Sequence, residues 1–173
     1  MTDRAQIVAT ARTLLESEGP EAVTMRAIAT ELGIKAPSLY KHISNKAELE
    51  AALIGEGFAE LAAAFEDAAT GADHPAQAFG ATYRSWALQH PHLYQLMTGG
   101  PLPRDLLPPG LETRTAAPVM AAAGGNHDRA RAAWAFAHGM VALELANRFP
   151  PGADLGPAWQ VGLDQLLPEA EQS

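Results

Sequence analysis

The sequence predicts an all-α protein: a three-helix head carrying a helix-turn-helix, followed by a helical-bundle body. Three observations predict it. Apolar residues recur at three- and four-residue spacing through most of the chain, and no stretch of useful length alternates apolar with polar as a half-buried strand would. Breakers fall between the periodic segments, at Gly19-Pro20, Gly33, Gly71 to Pro75, Pro91, Gly99 to Pro103, Gly124-Gly125 and Pro150 to Gly152. With 173 residues, 47% of them hydrophobic, the chain is long enough for a small head fused to a larger body. It contains no internal repeat.

The head opens with Asp3 to Glu18, where Ile7, Ala11, Leu14 and Leu15 share one helical face. The stretch Val23 to Leu49 then organises the rest. Thr24 can cap a short helix whose Ile28, Ala29 and Leu32 face one way, and Gly33 can take the positive φ that ends it in a tight turn. A second short helix begins near Ala36, with Pro37 in its first turn, and sets Leu39 and Ile43 four residues apart on an inward face. Its opposite face carries Ser38, Lys41 and His42, with Tyr40 to one side. Asn45 can cap a third helix, with Glu48 at the third helical position as in a capping box. Two short helices joined by a glycine turn, with bases and hydroxyls outward on the second, make a helix-turn-helix, and double-stranded DNA is its expected partner.

Charge supports that reading. The net charge is -8 and the isoelectric point is near 5.1, so the chain as a whole is not built to hold nucleic acid. Every lysine (Lys35, Lys41, Lys46) nevertheless falls inside this stretch, and no Asp or Glu lies between Glu31 and Glu48. An acidic body with one basic face presents only that face to phosphates.

The run T-x-x-x-I-A-x-x-L-G-I-x-x-x-x-L-Y-x-H-I-x-x-K-x-x-L, from Thr24 to Leu49, resembles the DNA-binding signature of the TetR family of bacterial transcriptional repressors. It departs in Ile43, where phenylalanine is usual, and in Lys35, where a small capping residue is commoner. The resemblance implies that Thr24, Arg26, Tyr40 and Lys46 hold phosphates. It also implies that Lys35, Ala36, Pro37, Ser38, Lys41 and His42 form the front of the recognition helix.

The body follows. The pattern from Lys46 through Leu49, Leu53, Ile54, Phe58, Leu61 and Phe65 persists to about Ala69, a long helix connecting two functions. Ala76 to Gln89 carries Phe79, Tyr83, Trp86 and Ala87 on one stripe, and a short helix with Leu93, Tyr94, Leu96 and Met97 comes next. Pro101 to Gly110 is too proline-rich for continuous helix. Leu111 to Ala123 is a weaker helix that Pro118 is expected to kink or interrupt. Asn126 to Phe149 is apolar on two faces, and Leu155 to Leu167 offers Trp159, Leu163, Leu166 and Leu167 before a polar tail.

W-x-x-x-H-G at Trp134, His138 and Gly139, preceded by H-P-x-L-Y-x-L-M from His90 to Met97, is similar to the TetR-family ligand-binding domain named WHG after those residues. That resemblance implies a small-molecule effector and a homodimer formed through the last two helices, 126–149 and 155–167. The two-sided apolar helix suits an intersubunit four-helix bundle independently. The functional division expected is residues 1–46 for DNA binding and 47–173 for effector binding and dimerisation. Tyr83, Trp86, Tyr94, Met97, Trp134 and His138 are the candidates to line an effector pocket suited to an apolar or aromatic molecule, although the same residue types are ordinary core material. His138 is either a buried histidine bonded to a neighbouring helix or the polar anchor of a ligand.

Other classes find less support. The chain has no cysteine, which excludes disulfides and thiolate metal sites and suits a cytoplasmic setting. No H-E-x-x-H, G-x-S-x-G or phosphate loop is present, so neither an enzyme nor a cofactor is expected. The amino terminus lacks a signal peptide's continuous apolar region, and no membrane partner is expected. A helical module that binds small molecules or partners without regulating DNA would explain the acidic body, but it would leave the clustered lysines without a task.

Overall fold

The computed structural model describes residues 2–167, and the polar tail after Leu167 lies outside them. Among the described residues all regular structure is helical. The helices are α1 (Arg4–Glu18), α2 (Met25–Glu31), α3 (Ala36–Leu39), α4 (Lys46–Ala69), α5 (Pro75–Gln89), α6 (Pro91–Thr98), α7 (Leu111–Ala122), α8 (His127–Leu145) and α9 (Gly156–Leu166), with short 3-10 turns at Pro20–Ala22 and Arg104–Leu106. None of them is long and apolar enough to cross a membrane.

The chain forms two compact units. The first takes Met1–Ala59 together with His90–Leu111, and the second takes Glu60–Gln89 together with Glu112–Ser173. This grouping by contact is a different partition from the functional division expected after residue 46, which follows motif rather than packing.

In the first unit, local chemistry sets each helix end. Asp3 accepts from the Gln6 amide at 2.9 Å while the Gln6 side chain accepts from the Asp3 amide, a reciprocal box that starts α1. Thr24 Oγ1 accepts from the Ala27 amide at 3.1 Å and starts α2. Gly33 ends α2 at φ +64°, with Ile34 N–H donating to Ala29 O and Gly33 N–H to Thr30 O, the paired bonds of a Schellman turn. The third helix is one turn long. Beyond Leu39 the chain continues as turns, held by the His42 and Ile43 amides donating to Leu39 O, rather than as the longer helix the spacing suggests. Leu39 and Ile43 are nonetheless fully buried, joining Ile7, Val8, Leu15, Ile28, Leu49 and Leu53 in one core. Burying each such side chain is worth about 1.5–3 kcal/mol against leaving it exposed. At the start of α4, Asn45 Oδ1 accepts from the Glu48 amide at 2.9 Å. The Glu48 carboxylate reaches past Asn45 to the Ser44 amide at 2.8 Å, a variant of the expected box.

The first unit also holds α6. Its Leu93, Tyr94 and Met97 are buried, and two histidines tie it to α1. His90 Nδ1 lies 3.2 Å from Glu16 Oε1, and His92 Nδ1 lies 3.1 Å from the Glu16 carbonyl oxygen.

The second unit is organised by α5, α8 and α9. Ala76, Phe79, Tyr83, Trp86 and Ala87 of α5 are buried, as are Ala130, Ala133, Ala137, Met140 and Val141 of α8 and Trp159 and Leu163 of α9. The Glu144 side chain, only 9% exposed, accepts from Arg84 Nε and Nη2 at 2.8–3.0 Å and from Trp159 Nε1 at 3.1 Å. One carboxylate therefore ties three helices. Phe136 meets Trp159 edge-on at 5.6 Å, and a Cβ at Gly162 would run into the Phe136 ring, so α8 and α9 need that glycine to approach this closely.

Two expectations for this unit are corrected. The helix from Asn126 stops at Leu145 rather than Phe149, because Asn147 adopts φ +51° and Arg148 N–H closes back on Leu143 O, a Schellman ending with asparagine in the glycine position. Pro118 does not interrupt α7, which runs unbroken from Leu111 to Ala122. Proline there removes one N–H, so the Arg114 carbonyl loses its usual helical donor without the helix ending.

Two outcomes test these packing and capping arguments. Gly162→Ala should lower stability by about 1–3 kcal/mol, read from urea unfolding at fixed protomer concentration, through overpacking against Phe136. The Ser44 N–H, then the Ser44 side chain, and further off the Arg4 guanidinium hold the Glu48 carboxyl below its ordinary value of 4.5. A lowered folded-state pKa contributes stability that is present above 4.5 and lost as pH falls through the folded-state value. Thermal unfolding across that acid range should therefore show a smaller drop for Glu48→Gln than for the unmutated chain.

Candidate nucleic-acid interface and body cavity

The outer surface of the α2–α3 pair is assembled by burial of its inner surface. With Leu39 and Ile43 held in the core, the residues between them and before them must face solvent. Lys35, Pro37, Lys41 and His42 are exposed, Ala36 and Ser38 are half-buried, and Tyr40 is 52% exposed. Thr24, Arg26 and Lys46 are exposed as well. The ten residues expected to meet DNA thus belong to one short stretch of chain, and none of the ten is sealed in the core.

The cations differ in how free they are. Lys46 Nζ pairs with Glu50 one turn along α4, at 3.3 Å. Such an exposed pair is worth about 0–1 kcal/mol and yields readily to a stronger partner. Among the described residues Lys35 and Lys41 make no ion pair. Arg26 and Thr24 line a shallow depression together with Glu18, Glu21 and Glu31, so on the α2 side attraction to a phosphate is offset by three carboxylates. The strongest attraction is at the front of α3. The acid-free interval between Glu31 and Glu48 is plain in the sequence, whereas the acidic border contributed by Glu18 at the end of α1 and Glu21 in the turn after it emerges only on folding.

The six residues expected to line an effector pocket are distributed between the two units. Tyr94 and Met97 are buried in the first; Tyr83, Trp86, Trp134 and His138 belong to the second. Tyr83 and Trp86 are core residues, with the Tyr83 ring 5.8 Å from that of Phe79. Trp134 is 51% exposed, and the half-buried His138 stacks on it at 6.1 Å with the rings 25° from parallel. The second unit contains a cavity of about 230 Å³, and none of these six lines it. It lies between the end of α4, the start of α5 and the second half of α7, and every lining residue is Phe, Ala or Pro. The sequence does not mark these residues as a lining, because alanine borders a space only when its neighbours in three dimensions are also small. No group of three or more His, Asp or Glu that could hold a metal ion occurs among the described residues.

Comparison with known proteins agrees with this geometry. Residues 7–53 match the family model described as bacterial regulatory proteins, tetR family, and residues 76–166 match the model described as tetracyclin repressor-like, C-terminal domain. The HTH-type transcriptional regulator Rv0681 of Mycobacterium tuberculosis is 34% identical over 154 residues, covering 83% of this chain and 71% of its own length. The crystal structure of the regulatory protein SCO4313 superposes with a TM-score of 0.74 at 28% identity, over 95% of this chain and 94% of that one. BioQ bound to its double-stranded DNA operator shares the fold at a TM-score of 0.64 and 19% identity, over 97% of this chain and 99% of that one. The chain belongs to the TetR family of bacterial transcriptional regulators.

Proposed function

We propose that this regulator acts in the cytoplasm as a homodimeric repressor that leaves a palindromic operator when its body takes up a small apolar or aromatic molecule. The observation that carries the DNA half of the reading is the exposed, acid-free front of α3, where Lys35 and Lys41 stand without ion-pair partners on an otherwise acidic protein. Residues 1–46 serve as the head and 47–173 as the sensing and dimerising body. Thr24, Arg26, Tyr40 and Lys46 hold the phosphate backbone, and Lys35 to Ser38, Lys41 and His42 meet base edges. Phosphate contacts position the head and base contacts select the sequence.

Dimerisation is supported by apolar side chains left open on the last two helices. Trp134 and Leu143 of α8 are 51% and 43% exposed, and Val161 of α9 is 65% exposed. Single exposed apolar residues are unremarkable, but Trp134 and Leu143 bracket the exposed side of α8 and Val161 lies on the adjoining α9, and a second copy would cover them. Two heads in such a dimer would read half-sites about one helical turn, roughly 34–36 Å, apart. The effector acts through a difference in its affinity for the DNA-competent arrangement and for another one, and a coupling of about 1–3 kcal/mol changes operator occupancy several-fold to about a hundredfold. Of the residues expected from the sequence to sense it, Tyr83 and Trp86 sit beside Phe79 on α5, and Trp134 and His138 form the stack on α8.

Lys46→Ala should weaken binding to every DNA sequence and reduce the slope of log affinity against log salt by about 0.9 per lost phosphate contact. Lys41→Ala should weaken the selected sequence more than random DNA, with a bidentate guanine contact worth about 1–3 kcal/mol of discrimination. Fluorescence anisotropy over a salt series separates the two, and equal losses on both DNAs for Lys41→Ala would remove its base-reading role. Sedimentation equilibrium should find a dimer, and Leu143→Glu combined with Val161→Glu should give monomer. An unmutated chain that stays monomeric at micromolar concentration would contradict the dimer.

A further inference from the structure

The cavity in the second unit has a lining that specifies a kind of ligand. Phe65 and Ala69 of α4, Ala78 and Phe79 of α5, and Pro118 and Ala121 of α7 contribute to its walls, and no lining residue carries a hydrogen-bonding side chain. A charged or strongly hydrated molecule entering it would give up its water without replacement. The charged residues adjacent in sequence are acidic, apart from one paired arginine. Glu66 and Asp67, next in sequence to the lining residues of α4, and Asp73 in the following turn are all exposed. The nearby cation, Arg114, is engaged by Glu66 through two hydrogen bonds of 2.6 and 2.7 Å.

Size and shape narrow the class. The cavity is a partly open cleft of about 230 Å³, and its lining residues Ala69, Pro75 and Ala121 are exposed. It is larger than the roughly 150 Å³ apolar cavity that accommodates benzene and smaller than the roughly 300–1,000 Å³ typical of drug-sized ligands. The Phe65 and Phe79 rings stack on each other at 5.4 Å with 23° between their planes, and both contribute apolar surface to the lining. A further part of the lining comes from α7, the helix that has lost one internal bond at Pro118 and is tied to α4 by the Arg114–Glu66 pair one turn away.

We propose that this cavity is the effector's seat and that the effector is an uncharged, compact, hydrocarbon-like molecule of one or two fused rings. The proposal rests on the reading of the body as a small-molecule sensor and replaces its expected polar anchor with exclusion of charge. Naphthalene is the probe and 2-naphthoate its charged counterpart, each titrated calorimetrically into the full chain without DNA. Naphthalene should bind saturably at one site per chain, and 2-naphthoate at least about tenfold more weakly. Ala121→Leu and Ala78→Leu, which fill the cavity from α7 and from α5, should each weaken naphthalene at least about tenfold, whereas Arg131→Gln, at an exposed position of α8 outside the lining, should bind it as the unmutated chain does. Ala121 is exposed, so leucine there leaves the fold intact, as circular dichroism and retained DNA binding would verify. Equal affinity for 2-naphthoate, absence of saturable naphthalene binding, or unchanged binding in both folded leucine variants would overturn the proposal. DNA binding is measured separately. A chain that holds DNA but not naphthalene loses the seat and keeps the DNA reading, whereas a chain that holds naphthalene in the cavity without any change in DNA affinity loses the effector role.

Discussion

The head depends on the turn at Gly33. A residue there must sit at φ +64°, where a side chain is strained, and in return two α2 carbonyls find donors in the amides of Gly33 and Ile34. That closure redirects the chain so that Leu39 and Ile43 enter the core formed with α1, α2 and the start of α4. Once those two side chains are buried, the exposure of Lys41 and His42 is a matter of geometry. The DNA-facing surface is thus held by apolar burial behind it, since α3 itself is only one turn long and has little helical stability of its own.

Electrostatics then decides which of the exposed groups matter. At a net charge of -8 the protein gains little from long-range attraction to DNA, so the proposed reading places the interaction on close contacts at Lys35 and Lys41. The carboxylates of Glu18, Glu21 and Glu31 around Thr24 and Arg26 penalise any docking that slides toward the first two helices. Acidic borders of this kind set register by repulsion as much as by attraction.

Much of the head was legible in the sequence because its signals are local. Thr24, Gly33 and Asn45 each act within four residues, and the structure finds their caps and turn where the spacing places them. The body was less legible where a local signal competes with a tertiary one. Apolar periodicity runs on to Phe149, yet Asn147 in a left-handed conformation ends α8 earlier, and asparagine does this too seldom to be read as a stop. Pro118 reads as a breaker but costs α7 only one hydrogen bond. Aromatic and methionine residues drew attention as pocket candidates, whereas the cavity is defined by alanines on α4, α5 and α7 that adjoin only after folding. A void is a property of neighbours, and no single residue type announces it.

The central claim is that two copies of one basic face, each built on the Gly33 turn, read DNA together. Hydroxyl-radical footprinting on a duplex selected from random sequence tests it most directly. The account predicts two protected stretches on one side of the duplex, related by a two-fold axis, with centres about one helical turn or a small extension of it apart. Protection of a single asymmetric stretch, or uniform protection indifferent to sequence, would contradict it.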